Sequence, residues 1–203
     1  MAVSSGALAP MHGGMSHGMG MSVAMVLPTW LLVVGVVLFL LVAVLHVRHA
    51  LGKQLWTRVW HVAHVLMAFG MIAMLVPSIS MAVAGAVGAG LFGLAAVLGL
   101  VRAGFERVGA RRWLWVLTAV DLGAMAYMLA MPMLPWLTLL LAAWLLVQAV
   151  GWAARFLVPV EEDGSGHRDL PLRVSLVIMD LGMAAMLAGM QVFMQAMHAA
   201  HGM

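Results

Sequence analysis

The chain has 203 residues, of which 65% are hydrophobic and 8% charged, and its formal net charge is +3. Soluble domains carry about a quarter charged residues, so this composition excludes a soluble domain and is typical of a protein embedded in a lipid bilayer. The chain has no cysteine, which excludes disulfides and thiolate metal sites. Its basic residues are spread over short segments between apolar runs, so we do not expect nucleic acid as a partner.

Residues 1–27 precede the first apolar run and contain the uncharged segment MHGGMSHGMGM. We predict a flexible extracytoplasmic tail here. Disorder is compatible with metal capture, because thioether and imidazole groups are ligands that suit Cu(I). The candidate capture ligands of the tail are Met11, His12, Met15, His17, Met19 and Met21.

Six apolar runs predict six transmembrane helices. A helix rises about 1.5 Å per residue, so about 20 apolar residues cross the hydrocarbon core of a bilayer. Backbone groups in lipid must be satisfied within their own segment, which favours helices. The predicted fold class is therefore all-α, with a six-helix transmembrane domain over residues 28–203. The runs are 28–47, 59–77, 80–101, 113–132, 135–157 and 172–197.

The distribution of charge predicts the orientation of this multi-pass protein. All ten lysines and arginines lie in the first, third and fifth connections or at their edges. The two remaining connections, PSIS and MPMLP, are uncharged turns. Under the positive-inside rule the charged connections face the cytoplasm, so both termini lie outside the plasma membrane.

The second, fourth and sixth runs resemble one another. Each contains an ionisable residue, namely His64, Asp121 or Asp180, followed by three methionines at steps of three or four. Their spacing is close to the length of one two-helix hairpin. The pattern indicates a bundle of three repeated helical hairpins.

The 21 methionines occupy four blocks, all on the predicted outer side of the membrane. In the three similar runs they fall on one helix face, within an arc of about 120°. Ionisable residues in a membrane span normally face the bundle interior, so we expect the methionine stripes to do the same. Three facing stripes would line a funnel that opens to the outside. The blocks are residues 1–25, 67–81, 125–133 and 179–203.

These stripes predict an integral membrane protein that handles a soft metal ion, with Cu(I) as the favoured ion. The ionisable residues mark the inner end, where they could coordinate a cation or accept protons exchanged for it. The closing H-x-x-H would supply entry ligands. The candidate metal ligands are His64, Met67, Met71, Met74, Asp121, Met125, Met128, Met131, Asp180, Met183, Met186, Met190, Met194, His198 and His201.

Three other interpretations remain open at this point. Methionine is a flexible gap-filler, so the stripes could serve only to pack a structural or accessory subunit. Asp121 and Asp180 could serve a proton-coupled transporter, or hydrogen-bond a neighbouring helix. A haem-binding role is not favoured, because His64 is the only histidine placed well inside a span.

The remaining histidines near the first charged connection, His46, His49 and His61, are predicted to lie at the membrane surface. The chain shows no nucleophile–base pair and no nucleotide motif, so we do not expect an enzyme. The sequence indicates no particular protein partner.

The second run contains H-x-x-M-x-x-x-M-x-x-M, formed by His64, Met67, Met71 and Met74. With this motif the chain resembles an actinobacterial family of small polytopic membrane proteins, classed as a domain of unknown function. The resemblance covers most of the chain and implies a methionine-rich helical membrane domain. It implies no activity, substrate or ligand.

Overall fold

The computed structural model describes most of the predicted membrane domain and contains six α-helices. No β-strand occurs in the described residues, which are 28–51, 53–76, 85–130, 134–157 and 170–201, with side chains to residue 196. The predicted tail, residues 1–27, lies outside this part. The helices are α1 (Thr29–Ala50), α2 (Leu55–Leu75), α3 (Ala86–Phe105), α4 (Gly109–Ala130), α5 (Pro135–Ala153) and α6 (Leu170–His201).

All six helices contain a segment long and apolar enough to cross a membrane, which confirms the predicted all-α fold of six spans. Helix α5 begins at Pro135, where the missing N–H costs no intrahelical hydrogen bond. Helix α1 continues three residues past the predicted apolar run and includes Arg48 and His49 in its last turn. Basic side chains are favourable there because they lie near the negative end of the helix dipole.

The helices pack as three sequential hairpins, α1 with α2, α3 with α4, and α5 with α6. This is the pairing that the repeated pattern predicts. Helices α2, α4 and α6 also contact one another, and α1 contacts α6. The three helices that carry the methionine stripes therefore meet in the middle of the bundle.

The helix ends that flank the charged connections lie together at one end of the bundle, which we call the basic end. Arg102 near the end of α3 lies 4.6 Å from the ring centroid of Trp56 in the first turn of α2. In the same way, Arg173 at the start of α6 donates to the carbonyl oxygen of Trp152 at the end of α5, at 2.8 Å. A buried cluster that contains Trp60 of α2, Ala103 of α3 and Trp152 of α5 places the ends of all three hairpins on the same side.

Glu106, just beyond α3 at the basic end, is held by two local interactions. Its carboxylate accepts a hydrogen bond from Arg102 at 2.6 Å and another from the backbone N–H of Val108 at 3.4 Å. Desolvation raises the pKa of Glu106, but the Val108 hydrogen bond and the Arg102 charge outweigh it, so the pKa lies below its usual value. Glu106 therefore stays ionised at neutral pH and partly neutralises this edge of the basic end.

Candidate metal site and the polar groups around it

Seven methionines on α2, α4 and α6 are buried in one continuous core, which we call the methionine core. Each is at most 6% exposed, so their side chains face the bundle interior and not lipid. Two further stripe methionines are partly buried and pack against the core. The core members are Met67, Met71, Met125, Met128, Met179, Met183 and Met186, and the two packed against them are Met74 and Met190.

Two glycines let the three helices approach one another closely at this core. A methyl group on Gly70 of α2 would lie 2.6 Å from the terminal methyl carbon of Met125 on α4. A methyl group on Gly182 of α6 would lie 3.3 Å from the terminal methyl carbon of Met71 on α2. Since small residues permit such approach in membrane bundles, the sequence brings thioethers from all three stripes into one contiguous volume.

Several predicted ligands stand apart from the core or outside the described residues. Met194 of α6 is partly buried and lies farther along the helix than the core members. The other predicted ligands have no described side chain, so the outer end of the proposed funnel remains a prediction. They are Met131, His198, His201 and the six tail residues Met11, His12, Met15, His17, Met19 and Met21.

His64 lies one helical turn from Met67, toward the basic end, and is 3% exposed. Its Nδ1–H donates to the carbonyl oxygen of Trp60 at 2.8 Å. This hydrogen bond fixes the tautomer and leaves Nε2 with a lone pair, the arrangement in which metal-binding histidines are commonly held.

His46 and His61 are buried between the helices, at 0% and 1% exposed, and their predicted depth near the membrane surface stays a prediction. Their Nδ1 atoms are 3.1 Å apart, and the His46 ring stacks on His64 with centroids 4.8 Å apart and planes tilted by 4°. His49 is partly buried, and its ring centroid lies 5.7 Å from that of His61.

Position near a charged loop gave no indication that these histidines are buried. Depth along a helix does not determine which way a side chain faces. For His61 the available signal was helical spacing, because it stands three residues before His64 and continues its stripe.

A second polar group joins α4, α5 and α6. Asp121 and Asp180 are 3% and 2% exposed and lie close enough to interact electrostatically. Gln148 of α5, which is 4% exposed, donates from Nε2 to Asp121 Oδ2 at 2.9 Å. Sequence analysis missed Gln148, although a lone amide in an apolar run is itself an intramembrane polar signal.

Three oxygens of this group have no hydrogen-bond partner in the described part of the chain. They are Asp121 Oδ1, Gln148 Oε1 and Asp180 Oδ2. The Trp152 indole lies beside Asp180 without reaching hydrogen-bond geometry. Burying an oxygen without a hydrogen-bond donor costs folding free energy, so a bound proton or cation would stabilise this group.

Among the described residues, no three histidine, aspartate or glutamate side chains are arranged to hold one metal ion. His64 and the two aspartates therefore do not form a joint three-ligand site. A metal ion in the described part of the bundle would therefore have at most two of these groups as ligands, and at the methionine core its other ligands would be thioether sulfurs. That donor set suits a soft ion and not Zn²⁺, which takes four nitrogen, oxygen or thiolate ligands in structural sites.

A family model described as a domain of unknown function, DUF5134, matches residues 56–190. The chain belongs to the DUF5134 family. This confirms membership of a family of unknown function, whereas the actinobacterial origin and the H-x-x-M motif stay predictions. Neither the curated proteins nor the solved structures include a match to the chain.

The DUF5134 region contains most of the candidate site. It includes α2 to α5 and α6 as far as Met190, and so holds the methionine core, His61, His64 and the Asp121–Gln148–Asp180 group. Helix α1, with His46 and His49, precedes the matched residues. The DUF5134 match therefore covers the three helices that meet in the middle of the bundle, with α6 covered as far as Met190.

Proposed function

We propose that this protein binds a soft monovalent metal ion, Cu(I), through the thioethers of the methionine core. The observation that supports this most is the inward convergence of stripes from three helices into one buried cluster. Had the stripes faced lipid, no shared site would be available to them. Their convergence gives several neutral soft ligands in one water-poor volume.

The chemistry of the core fits Cu(I) better than the common hard ions. Thioether sulfur is uncharged and polarizable, so it can replace the hydration of a monovalent soft ion without burying a negative charge. Mg²⁺ and Ca²⁺ require oxygen ligands, which the methionine core lacks. His64 could complete the site at its inner end through its Nε2 lone pair.

The orientation and setting are part of the same proposal. With the basic end at the cytoplasm, the methionine core occupies the outer half of a plasma membrane span, and the tail and the closing H-x-x-H lie outside the cell. An ion captured there would reach the core from the extracytoplasmic side. An actinobacterial cell envelope is the expected setting.

The proposal is tested by measuring the copper retained by the purified full-length protein after equilibration with Cu(I) and removal of free ion. We expect at least one retained copper per chain, and a chain lacking residues 1–25 should keep the copper held by the core. Loss of all copper on removing residues 1–25 would show that the tail binds the copper and the methionine core does not. Absence of copper from both forms would overturn the proposal.

A second candidate function rests on the buried carboxyl pair. Two negative charges side by side in a low-dielectric interior repel one another, so Asp121 and Asp180 favour binding a proton or a cation between them. Such a pair is suited to proton-coupled transport, and the unpartnered oxygens, one on each aspartate and one on Gln148, are the specific observation in its favour.

Asp121→Asn distinguishes the two candidates, because it removes one charge while keeping size and hydrogen bonding with Gln148. If the methionine core alone binds copper, this variant should retain its copper within about twofold, since the thioethers are untouched. A proton-coupled carrier would instead lose proton flux, measured with a pH dye in proteoliposomes without copper. Glu106→Gln, outside the spans, is the matched control.

A further inference from the structure

We infer that His64, His46, His61 and His49 form the inner half of a metal path, along which Cu(I) moves between the methionine core and the basic end. We call these four side chains the histidine ladder. The inference rests on the proposed function, since it concerns the same ion. It adds that the ion is passed through the membrane and not only held.

The spacing of the rings supports passage from one ligand to the next. Going outward from the basic end, the ring centroids of His49 and His61 are 5.7 Å apart, those of His61 and His46 are 5.3 Å apart, and those of His46 and His64 are 4.8 Å apart. No large gap therefore interrupts the series. Conduction requires several weak sites in sequence, because an ion must leave each site as readily as it enters.

The ladder joins the methionine core without a break on α2. Five residues at steps of three or four lie on one face of this helix, with imidazoles toward the basic end and thioethers toward the other. All but the last are buried, and the last is partly buried. They are His61, His64, Met67, Met71 and Met74.

The hydrogen bonds present ligand nitrogens within the ladder. The Ser175 hydroxyl donates to the carbonyl oxygen of Leu172 at 2.6 Å and so accepts from His46 Nε2–H at 3.1 Å. His46 Nδ1 therefore carries a lone pair, and His61 Nδ1–H donates to it. A monovalent ion could take the place of this shared proton between two nitrogens, with the proton moving to the other nitrogen of His61.

The absence of a three-ligand cluster among the described residues also favours transfer over storage. Imidazoles offered in pairs would hold Cu(I), which accepts low coordination numbers, but would not trap Zn²⁺.

The test uses full-length protein in liposomes loaded with a membrane-impermeant, coloured Cu(I) chelator, with Cu(I) supplied outside. His46→Gln and His61→Gln should slow chelate formation at least about tenfold while copper retained by the core is unchanged. His46→Met, which restores a soft ligand, should recover most of the rate. Val47→Gln, on the exposed face of α1 beside His46, is the matched control and should transfer as wild type.

Each other outcome is decisive. Wild-type protein that binds copper but moves none, or glutamine variants that move it at the wild-type rate, would overturn the ladder and leave the proposed function standing. If His46→Met transfers copper as slowly as His46→Gln, the transfer needs an imidazole and not merely a soft ligand, as proton transfer does, and the ladder is overturned. Wild-type protein that binds no copper would overturn both proposals, and elution on size exclusion identifies any variant that fails to fold.

Discussion

Replacing Met71 and Met125 together with leucine is expected to abolish copper binding by the core while preserving the fold. Both side chains are 0% exposed and come from different stripes. Leucine has a similar volume and no sulfur, and such swaps in a core cost less than about 1.5 kcal/mol each. Loss of two converging thioethers should therefore remove the ion without unfolding the bundle.

The measurement is a competition titration of full-length protein against a chelator of known Cu(I) affinity, with thermal melting in detergent alongside. We expect an affinity at least about a hundredfold lower in the double variant, because loss of a group that only orients a metal ligand already costs about 10–100-fold, and two ligands themselves are lost here. Ile72→Leu changes the shape of the same core without removing a sulfur and is the matched control. Unchanged affinity in the double variant would show that the core methionines serve only for packing.

Gly182→Ala is expected to destabilise the bundle, whereas Gly123→Ala should not. The added methyl group at Gly182 would lie 2.5 Å and 3.0 Å from two ring carbons of Phe39, a buried residue of α1 that has little room to shift. Overpacking of this kind costs about 1–3 kcal/mol. At Gly123, in the middle of α4, no atom of the described residues beyond its own stretch of helix lies within 4 Å of the added methyl group.

Both glycines are helical, so the same substitution removes the same backbone freedom and only the surroundings differ. Alanine is the better helix former by about 1 kcal/mol, and Gly123→Ala should therefore be neutral or stabilising. Thermal melting in a single detergent compares the two variants directly. Equal stability of both would mean that α1, α2 and α6 do not meet as closely as Gly182 indicates.

The centre of the bundle could be predicted from sequence because its elements repeat. Each stripe pairs an intramembrane ionisable residue with methionines at helical steps, and the cost of exposing such a residue to lipid determines which face turns inward. His64, Asp121 and Asp180 are all buried as that rule requires. The hairpin pairing follows from the repeat, because the spacing of the three similar runs is close to the length of one two-helix hairpin.

The burial of His46 and His49 and the partner of Gln148 could not be predicted in the same way. His46 and His49 lie on α1, a helix whose apolar residues surround its whole circumference, so no amphipathic pattern shows which face is inside. His46 becomes buried because Ser175 of α6, 129 residues later in the chain, supplies its hydrogen-bond partner. Gln148 of α5 likewise has its hydrogen-bond partner, Asp121, on a different helix. Such partnerships depend on the packing of separate hairpins.

X-ray absorption at the copper edge of full-length, copper-loaded protein shows whether sulfur from the methionine core binds Cu(I), because sulfur and nitrogen or oxygen ligands scatter differently. We expect a coordination shell dominated by sulfur that is lost in the Met71→Leu, Met125→Leu double variant and kept in Ile72→Leu. A shell of nitrogen and oxygen alone, unchanged in the double variant, would contradict it.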